Sequence, residues 1–468
     1  MQNHIIMKEK PIDRWSFRYT SFKFYTSLCY RIFYRTIQVK FRERIPKGVP
    51  VIFAPNHQNA LMDALAVLYT SGHDVVFVAR ADVFKNPVLA RIFHLFKIYP
   101  IYRIRDGVGE MSKNEEIFQK AIDVLDRGKC PFGIMPEGNH GDKRRLRMLV
   151  KGIFRIAFRA QEKYETGEGV QIVPVGIDYS HYSNFGSKIL IIYGHPVSVG
   201  KYFQHYHEDG AKGINIFRDV LANEMRRYMI DIQTETYYNT FLALRVIFNR
   251  NMRELAGIRE ADLYSRFVAD KQMIAMLNQC LEQQPERIAA LDRTVSEYMA
   301  GIDRLNIRDW VFAHRGMSVA GLLLLSLPML LMLPVFIYGW INNIIPWKLP
   351  LLVTGKIKDV QFHSSVKMVI GIFLFPIMYL IQSGIFALLA GSWQASLVYL
   401  ASLPLSGWLA YTYYLGWKKL RALWKFRLNG RRGGSTIPSL LNMRNEIIDV
   451  MKSISNDHLS AIHENQNL

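Results

Sequence analysis

The chain has 468 residues and a formal net charge of +20 at pH 7, and 13% of its residues are aromatic. This length accommodates about two to four domains. The basic excess restricts the expected partners to anionic ones, either nucleic acid or a membrane surface that contains anionic lipid. The three cysteines lie far apart and form no CxxC pair, so no disulfide framework and no metal site is predicted, and a reducing compartment fits.

The N-terminal segment, residues 1–46, predicts a membrane-surface element. Its first residues are polar, which gives no sign of a cleavable signal peptide. Residues 12–45 then mix aromatic side chains with Arg and Lys. This pattern favours one or two amphipathic helices lying in the lipid headgroup region. An ordinary helix packed on a domain core is the alternative.

Over residues 47–212, strand-like patterns alternate with helical patterns along the sequence. Helical periodicity lies between the apolar runs, for example over residues 114–125 and 145–161. The alternation predicts an α/β fold, a layered domain with a largely buried sheet flanked by helices. The predicted strands are Val51–Ala54, Val75–Ala79, Ile98–Tyr102, Phe132–Met135, Gln171–Ile177 and Ile189–Tyr193.

The rest of the chain divides by composition. Residues 213–315 are charged and predict a helical region. Residues 316–427 are strongly apolar and predict a membrane region. Residues 428–468 begin with a basic, glycine-rich patch and predict a short helix or a disordered tail beyond it.

Two apolar stretches carry the membrane prediction. Residues 368–417 contain no Asp, Glu, Lys or Arg. As one helix they would be about 75 Å long at ~1.5 Å per residue, against a hydrocarbon core of ~30 Å. A transmembrane hairpin with its turn at residues 391–394 is therefore expected. The second stretch, residues 317–347, is uncharged but is interrupted by Pro328 and Pro334.

The basic flanks of these stretches predict the orientation. Arg304 and Arg308 precede the first stretch, Lys418 and Lys419 follow the last, and the connecting loop is also rich in Lys. All three regions should therefore be cytoplasmic. Residues 317–347 would then form a re-entrant or interfacial hairpin, with a single tilted span as the alternative. We expect an integral membrane protein whose α/β domain lies on the cytoplasmic face.

The first candidate site residue is His57, which follows the strand Val51–Ala54, with Asp63 six positions further on. A carboxylate that holds one ring nitrogen of a His stabilises the cation formed when the other nitrogen accepts a proton. The pair therefore suits a general base acting on a hydroxyl. A loop His and a solvated Asp are the simpler interpretation of this stretch alone.

Three further motifs follow predicted strands. Arg103 could clamp a phosphate. Glu137 and Gly138 form a turn that lets backbone approach a ligand. A basic run, residues 143–147, is expected to begin a helix that continues through Lys151, and a helix N-terminus with cations can bind phosphate. Each motif alone also fits a surface ion pair, a plain turn or a solvated helix face.

Taken together, these motifs resemble the four conserved blocks of the glycerolipid acyltransferase superfamily. The blocks are Asn56-His57…Asp63, Ile101-Tyr102-Arg103, Pro136-Glu137-Gly138 and Val173-Pro174-Val175. A weaker resemblance links residues 137–152 and 356–359 to the yeast-type glycerol-3-phosphate/dihydroxyacetone-phosphate branch.

The resemblance implies a role for each position. His57 would be the general base and Asp63 the residue that orients it. Arg103, Glu137 and Gly138 would bind the glycerol phosphate of the acceptor, and Pro174 would shape the acyl pocket. Asn56 and Lys151 complete the expected substrate-binding set, the latter through the phosphate argument above.

The implied reaction moves a fatty acyl group from acyl-CoA or an acyl carrier protein to glycerol-3-phosphate or lysophosphatidate. No cofactor is expected, and the bilayer with anionic lipids is the expected partner. A non-catalytic lipid-binding scaffold on the same fold is the alternative function. No helix-turn-helix or zinc pattern supports nucleic-acid binding.

Two departures from the family pattern accompany the resemblance. Five residues separate His57 from Asp63, where the family commonly has four, and the extra residue can be absorbed in the turn before the helix. Asn59 would be the alternative orienting group. Asn139 and His140 follow Gly138, where many members carry Thr or Ser, and this difference bears on the choice of acceptor.

Overall fold

The computed structural model describes residues 12–102, 113–164, 169–314, 317–431 and 436–466. The chain forms two compact units. The first comprises the chain up to Asp231 together with Thr354–Ile372, and the second comprises Ile232–Val353 and Phe373–Leu468. The chain thus returns to the first unit for a short segment between two parts of the second.

The described residues of the first unit form an eight-stranded sheet in the order β1-β7-β6-β2-β5-β3-β4, with β8 paired to β6. Neighbouring strands are parallel except that β6 is antiparallel to both β7 and β8. The strands are β1 (Thr36–Lys40), β2 (Val51–Pro55), β3 (Val76–Arg80), β4 (Ile98–Ile101), β5 (Phe132–Gly133), β6 (Gln171–Tyr179), β7 (Lys188–Tyr193) and β8 (Val197–Ser198).

Helices cover both faces of this sheet. They are α1 (Phe17–Phe33), α2 (Leu61–Thr70), α3 (Pro87–Leu95), α4 (Lys113–Asp126), α5 (Lys151–Gln161), α6 (Phe203–Glu208) and α7 (Gly210–Arg227). Successive residues of β2 point to opposite faces, so Ile52 packs in a core cluster with Phe154 while Phe53 packs in another with Tyr30. Burial on both faces explains why this strand is apolar throughout. The predicted α/β fold with a buried sheet and flanking helices is confirmed.

The N-terminal segment differs from its prediction. One helix, α1, is present, but residues 36–40 form strand β1, which pairs with β7. The pairing supplies backbone hydrogen bonds that a local pattern cannot reveal, and Ile37 and Val39 pack against a core cluster. Helix α1 buries Tyr30 on the domain core, as the alternative expected, while Phe24 on another face is 75% exposed.

The second unit consists of helices in the described residues. They are α8 (Tyr238–Ile247), α9 (Asn249–Leu255), α10 (Leu263–Gln283), α11 (Pro285–Arg304), α12 (Val319–Leu331), α13 (Leu333–Thr354), α14 (His363–Ala390), α15 (Trp393–Arg431) and α16 (Thr436–Gln466). Helix α14 begins in the first unit, and α13 reaches it with its last residue.

The C-terminal tail is more regular than expected. In place of a short helix or a disordered tail, α16 is a helix of 31 residues. Its residues Ile447, Met451 and Ile454 are buried against other helices of the second unit. Their spacing of three to four residues places them on one helix face. Burial of this stripe explains the length of the helix. Part of the predicted basic patch, residues 432–435, lies outside the described residues.

The apolar stretches form long helices. Within the described ranges, the helix Val360–Ala390 is long and apolar enough to cross a membrane, and α12 with α13 would count as a second span if taken together across their 52° bend. Helix α15 does not meet the same test, and Ser, Thr and Tyr are interspersed with its leucines. The transmembrane hairpin and the domain boundaries therefore stay predictions.

Candidate functional site

The end of strand β2 positions the first block of the site. Backbone pairing with β6 continues past the strand, since Asn56 N donates to Val175 O at 3.2 Å. The Asn56 side chain also bonds to Ile177, accepting from its N–H at 2.7 Å and donating to its carbonyl at 3.1 Å. Both polar ends of Asn56 are thus occupied by β6, which fixes where the chain turns toward His57.

Asp63 organises the turn that follows. Its Oδ2 accepts the backbone N–H groups of Gln58 at 2.9 Å and Asn59 at 2.7 Å, and lies 2.9 Å from His57 Nδ1. Its Oδ1 accepts the hydroxyl of Tyr179 at 2.7 Å. A carboxylate in the first turn of a helix that reaches back to free N–H groups is a capping arrangement, and it also complements the helix dipole.

The additional residue between His57 and Asp63 is accommodated before the helix. Helix α2 begins at Leu61, and Ala60 adopts a positive φ of 46° at its N-cap. This conformation is strained for a residue with a Cβ. The hydrogen bonds to Asp63 hold it in place. Asn59, the alternative orienting group, does not contact the imidazole through its amide, which donates to Tyr182 O at 3.0 Å.

The environment of this pair is asymmetric. The Asp63 side chain is 1% exposed, whereas the His57 side chain is 16% exposed. With Nδ1 donating to the carboxylate, the imidazole presents Nε2 as an acceptor. A neutral imidazole held in this tautomer can remove a proton from a hydroxyl.

Glu137, which follows strand β5 in the sequence, is hydrogen-bonded to the same turn. Its Oε1 accepts the N–H of His57 at 2.8 Å and its Oε2 accepts the N–H of Arg147 at 3.1 Å. Burial raises the pKa of Glu137 to about 7, although these hydrogen bonds and the nearby imidazole oppose the rise. Gly138 beside it has φ +67°, and a Cβ there would lie 2.7 Å from Val150 Cγ1.

The basic run after Gly138 is not helical, contrary to the prediction. Helix α5 begins at Lys151, and residues 141–150 form an irregular loop. Acceptors from elsewhere take its backbone N–H groups. Leu146 N donates to Asp231 at 2.9 Å, and Val150 N donates to Pro136 O at 2.7 Å. These tertiary bonds replace the i to i−4 bonds that a helix would need.

This loop lines a cleft of about 700 Å³ beside the imidazole. His140 connects the two, since its ring lies 5.7 Å from the His57 ring, edge to face. Four cationic and two acidic side chains contribute to the wall, which favours an anionic ligand. The lining residues are Arg80, Asn139, His140, Gly141, Asp142, Lys143, Arg145, Arg147, Asp359 and Gln361.

The remaining predicted site residues are placed as follows. Pro174 is buried in β6, beside Ala54 of β2. Lys151 is exposed at the start of α5 and does not line the cleft. Arg103 lies outside the described residues. In the described part of the chain, no group of three or more His, Cys, Asp or Glu side chains is arranged to hold a metal ion.

Several residues of the site were not predicted. Tyr179 reaches Asp63 from the end of β6, and Arg80 enters the cleft from the end of β3. Asp359 and Phe362 come from the segment that returns to the first unit. The ends of β3 and β6 lie at the same sheet edge as the end of β2. The polar residues after those strands were therefore the available signal.

Comparisons with known proteins find similarity to one family over part of this chain. Residues 36–178 match the model of the Acyltransferase family. The chain is 26% identical over 300 residues to glycerol-3-phosphate O-acyltransferase 2 of Saccharomyces cerevisiae, covering 60% of this chain and 39% of that protein. It is 23% identical over 288 residues to glycerol-3-phosphate O-acyltransferase 1 of the same yeast, covering 57% and 36%. The match thus spans less than half the length of either relative.

A solved structure, the 1-acyl-sn-glycerophosphate (LPA) acyltransferase PlsC from Thermotoga maritima, aligns with a TM-score of 0.33 and 18% identity, covering 45% of this chain and 78% of that one. The family match covers strands β1 to β6 and the His57–Asp63 turn. The similarity to the Acyltransferase family is thus located in residues 36–178.

Proposed function

We propose that the protein transfers a fatty acyl group from an acyl thioester to a hydroxyl of glycerol-3-phosphate or lysophosphatidate. The observation that carries this proposal is the His57–Asp63 pair, whose carboxylate is buried and fully bonded while its imidazole is partly exposed. The names of the yeast relatives support glycerol-3-phosphate as an acceptor.

In the proposed reaction, His57 Nε2 removes the proton from the acceptor hydroxyl. The resulting oxygen attacks the thioester carbonyl, and the carbon–sulfur bond breaks as the oxyanion collapses. The imidazolium returns its proton to the leaving thiolate, so the products are an ester and a free thiol. Asp63 stabilises the imidazolium through Nδ1. The substrate hydroxyl is the nucleophile, so no covalent acyl-enzyme forms.

The cationic cleft would hold the phosphate of the acceptor. Arg80, Lys143, Arg145 and Arg147 line it, and guanidinium groups bind phosphate with paired hydrogen bonds. We assign Arg103 to the same site on the basis of its motif. Glu137 and Asn56 then act by positioning the His57 turn, because their polar atoms are bonded to backbone.

The lipid nature of the product agrees with a membrane location. In the second unit, large apolar side chains are exposed along the long helices, for example Leu324 at 71%, Leu388 at 86% and Leu389 at 83%. Exposed apolar area on this scale is typical of a lipid-facing surface. Phe17 and Phe24 of α1, and Trp15 just before it, are each more than 70% exposed beside basic residues, which supports contact of the catalytic unit with the headgroup region.

The packing of residues 354–372 bears on topology. These residues belong to the same unit as the sheet, so they would lie on the same side of a membrane as the catalytic fold. The basic flank before residue 317 is also expected on that side, so residues 317–353 would enter and leave the bilayer through one face. The 52° bend between α12 and α13 supports a re-entrant hairpin over a single tilted span.

The test is an acyl-transfer assay that offers radiolabelled glycerol-3-phosphate and lysophosphatidate, each with acyl-CoA and with acyl carrier protein. We expect transfer to at least one acceptor, and loss of about 10³–10⁴-fold in kcat in His57→Ala. His195→Ala is the matched control, because His195 is exposed and does not line the cleft. Specific binding of lipid vesicles without transfer to either acceptor would support the non-catalytic scaffold instead.

A further inference from the structure

The segment Thr354–Ile372 is bonded into the catalytic unit next to the His57 turn. The Ser364 hydroxyl is fully buried and lies 2.6 Å from Asn59 Oδ1 and 2.8 Å from the carbonyl of Tyr182. Lys367 Nζ donates to Ser183 O at 2.8 Å. These contacts fix the position of the short turn that precedes α14.

Packing reinforces these hydrogen bonds. Met368 and Ile372 join the core cluster on the α1 side of the sheet, and Tyr25 of α1 donates its hydroxyl to Ile372 O at 2.6 Å. Residues 364–372 of the segment are therefore buried on one side and hydrogen-bonded to the rest of the first unit. A turn held this firmly can position a side chain in the site.

Phe362 is the side chain that this turn presents to the site. Its ring lies 4.7 Å from the His140 ring at an interplanar angle of 81°. The His140 ring in turn lies 5.7 Å from the His57 ring at 83°. Two edge-to-face contacts in series thus connect Phe362 to the imidazole of the proposed base, and each ring limits the rotation of the next.

The surroundings of His140 also favour its neutral form. Burial is the largest cause that lowers its pKa, followed by the nearby His57, and Arg80 acts in the same direction. The carboxylates of Asp359 and Asp63 oppose this shift. The closest approach of Asp359 Oδ2 to His140 Nε2 is 4.0 Å, too long for a hydrogen bond.

We infer that Phe362 is a positioning residue for acyl transfer, which holds His140 edge-on against His57 and keeps it out of water. This inference rests on the proposed function, and it assigns a role in the site to a segment between two apolar stretches. Without the Phe362 ring, His140 would be hydrated and would take up a proton more readily. A cation there would oppose proton transfer to His57.

The experiment compares Phe362→Ala, Phe362→Tyr and Val360→Ala with the wild type, all as full-length protein in detergent micelles. Val360 is the control because it is 51% exposed in the same turn. The first measurement is independent of activity and uses mass spectrometry to follow carbethoxylation of His140 by diethyl pyrocarbonate. We expect this rate to rise several-fold in Phe362→Ala alone.

The second measurement is kcat between pH 6 and 8. In Phe362→Ala we expect kcat to be about tenfold lower than in the wild type at pH 8. The ratio of the two kcat values should become larger as the pH falls, because a displaced His140 also becomes charged. Phe362→Tyr retains the ring and should therefore keep the wild-type carbethoxylation rate of His140 and the wild-type kcat. If His140 reacts with diethyl pyrocarbonate at the same rate in Phe362→Ala as in the wild type, the contact between Phe362 and His140 is refuted.

A faster reaction at His140 with the same fractional loss of kcat at every pH would mean a purely structural role and would also overturn the inference. A wild type that transfers no acyl group would refute the proposed function, and the positioning role with it. The reactivity of His140 would still report whether Phe362 covers it, so the two failures are distinguishable.

Discussion

Each compact unit contains a buried aspartate that accepts a tyrosine hydroxyl at 2.7 Å, but the other partners of the two carboxylates differ. Asp63 bonds to Tyr179, two backbone N–H groups and the imidazole of His57. Asp309 bonds to Tyr298 and is held by the guanidinium of Arg444 at 2.7 and 3.3 Å.

This difference separates the proposed reactive site from a structural ion pair. The charge of Asp309 is neutralised by a guanidinium that stays protonated. Among the described residues, the donors to Asp63 are neutral apart from the imidazole, so under the proposed function its negative charge would stabilise a proton on His57. A buried carboxylate alone therefore does not indicate catalysis. Its hydrogen-bond partners determine whether its charge is already neutralised.

Exchanging each carboxylate for an amide should give the largest contrast. Asp63→Asn should lower kcat by about 10²–10³-fold, because the amide no longer stabilises the imidazolium. Asp309→Asn should leave the kcat of folded protein unchanged, but should destabilise the second unit by about 2 kcal/mol by leaving the partly buried Arg444 without its counter-charge. Acyl-transfer kinetics and thermal melting of both variants provide the check.

An exposed ion pair serves as a control for the size of the destabilisation expected in Asp309→Asn. Arg250 and Glu254 lie one helical turn apart in α9 and are 77% and 60% exposed. Arg250→Ala should change the free energy of unfolding by less than about 1 kcal/mol. If Asp309→Asn melts no earlier than Arg250→Ala, the assignment of Asp309 as a structural carboxylate fails.

Glu137 is a third buried carboxylate, and within the described residues its hydrogen-bond partners are two backbone N–H groups. Because its pKa is raised to about 7, ionisation strengthens its hold on the His57 turn as the pH passes through this value. The kcat of the wild type should therefore rise through about pH 7. Glu137→Gln should lose this step and about tenfold in kcat above it.

Whereas kcat should rise with pH, the stability of the folded protein should fall as the pH rises. A Glu whose pKa is raised on folding contributes stability that is present below its unfolded pKa and is lost as the pH rises through the folded pKa. Between pH 5 and 8, the melting temperature of the wild type should therefore fall relative to that of Glu137→Gln. A parallel course of the two melting curves would contradict the raised pKa.

The two tyrosines provide the smallest and most closely matched test. Each mutation to Phe removes one hydrogen bond, which contributes about 1 kcal/mol. Tyr179→Phe should lower kcat by about fivefold, because Asp63 loses a donor that fixes its position. Tyr298→Phe should lower the melting temperature and leave kcat unchanged. Equal effects of the two variants on kcat would remove the distinction between the sites.

Local sequence pattern was sufficient to predict much of the first unit. The apolar runs predicted strands β2, β3, β6 and β7 to within about two residues, because a strand buried on both faces is apolar along its whole length. The order of the four motifs predicted the family, and the family match covers the same region. The turn between His57 and Asp63 was also expected to absorb one additional residue.

Predictions failed where a distant partner replaced a local bond. Residues 145–150 have helical periodicity, yet Glu137 and Asp231 take their N–H groups. Residues 36–40 follow a helix directly, yet they pair with β7, about 150 residues away. In both places a tertiary hydrogen bond outweighs the weak helix propensity of a few residues.

The sequence by itself determined the buried sheet, the long apolar helices, and the order in which His57, Asp63 and Glu137 occur along the chain, because each follows from local hydrophobicity or from a short motif. The tertiary structure decided which donors each buried carboxylate receives and that Phe362 returns to the His57 turn. Those contacts join residues far apart in sequence, and only the closed fold brings them within hydrogen-bond or van der Waals distance.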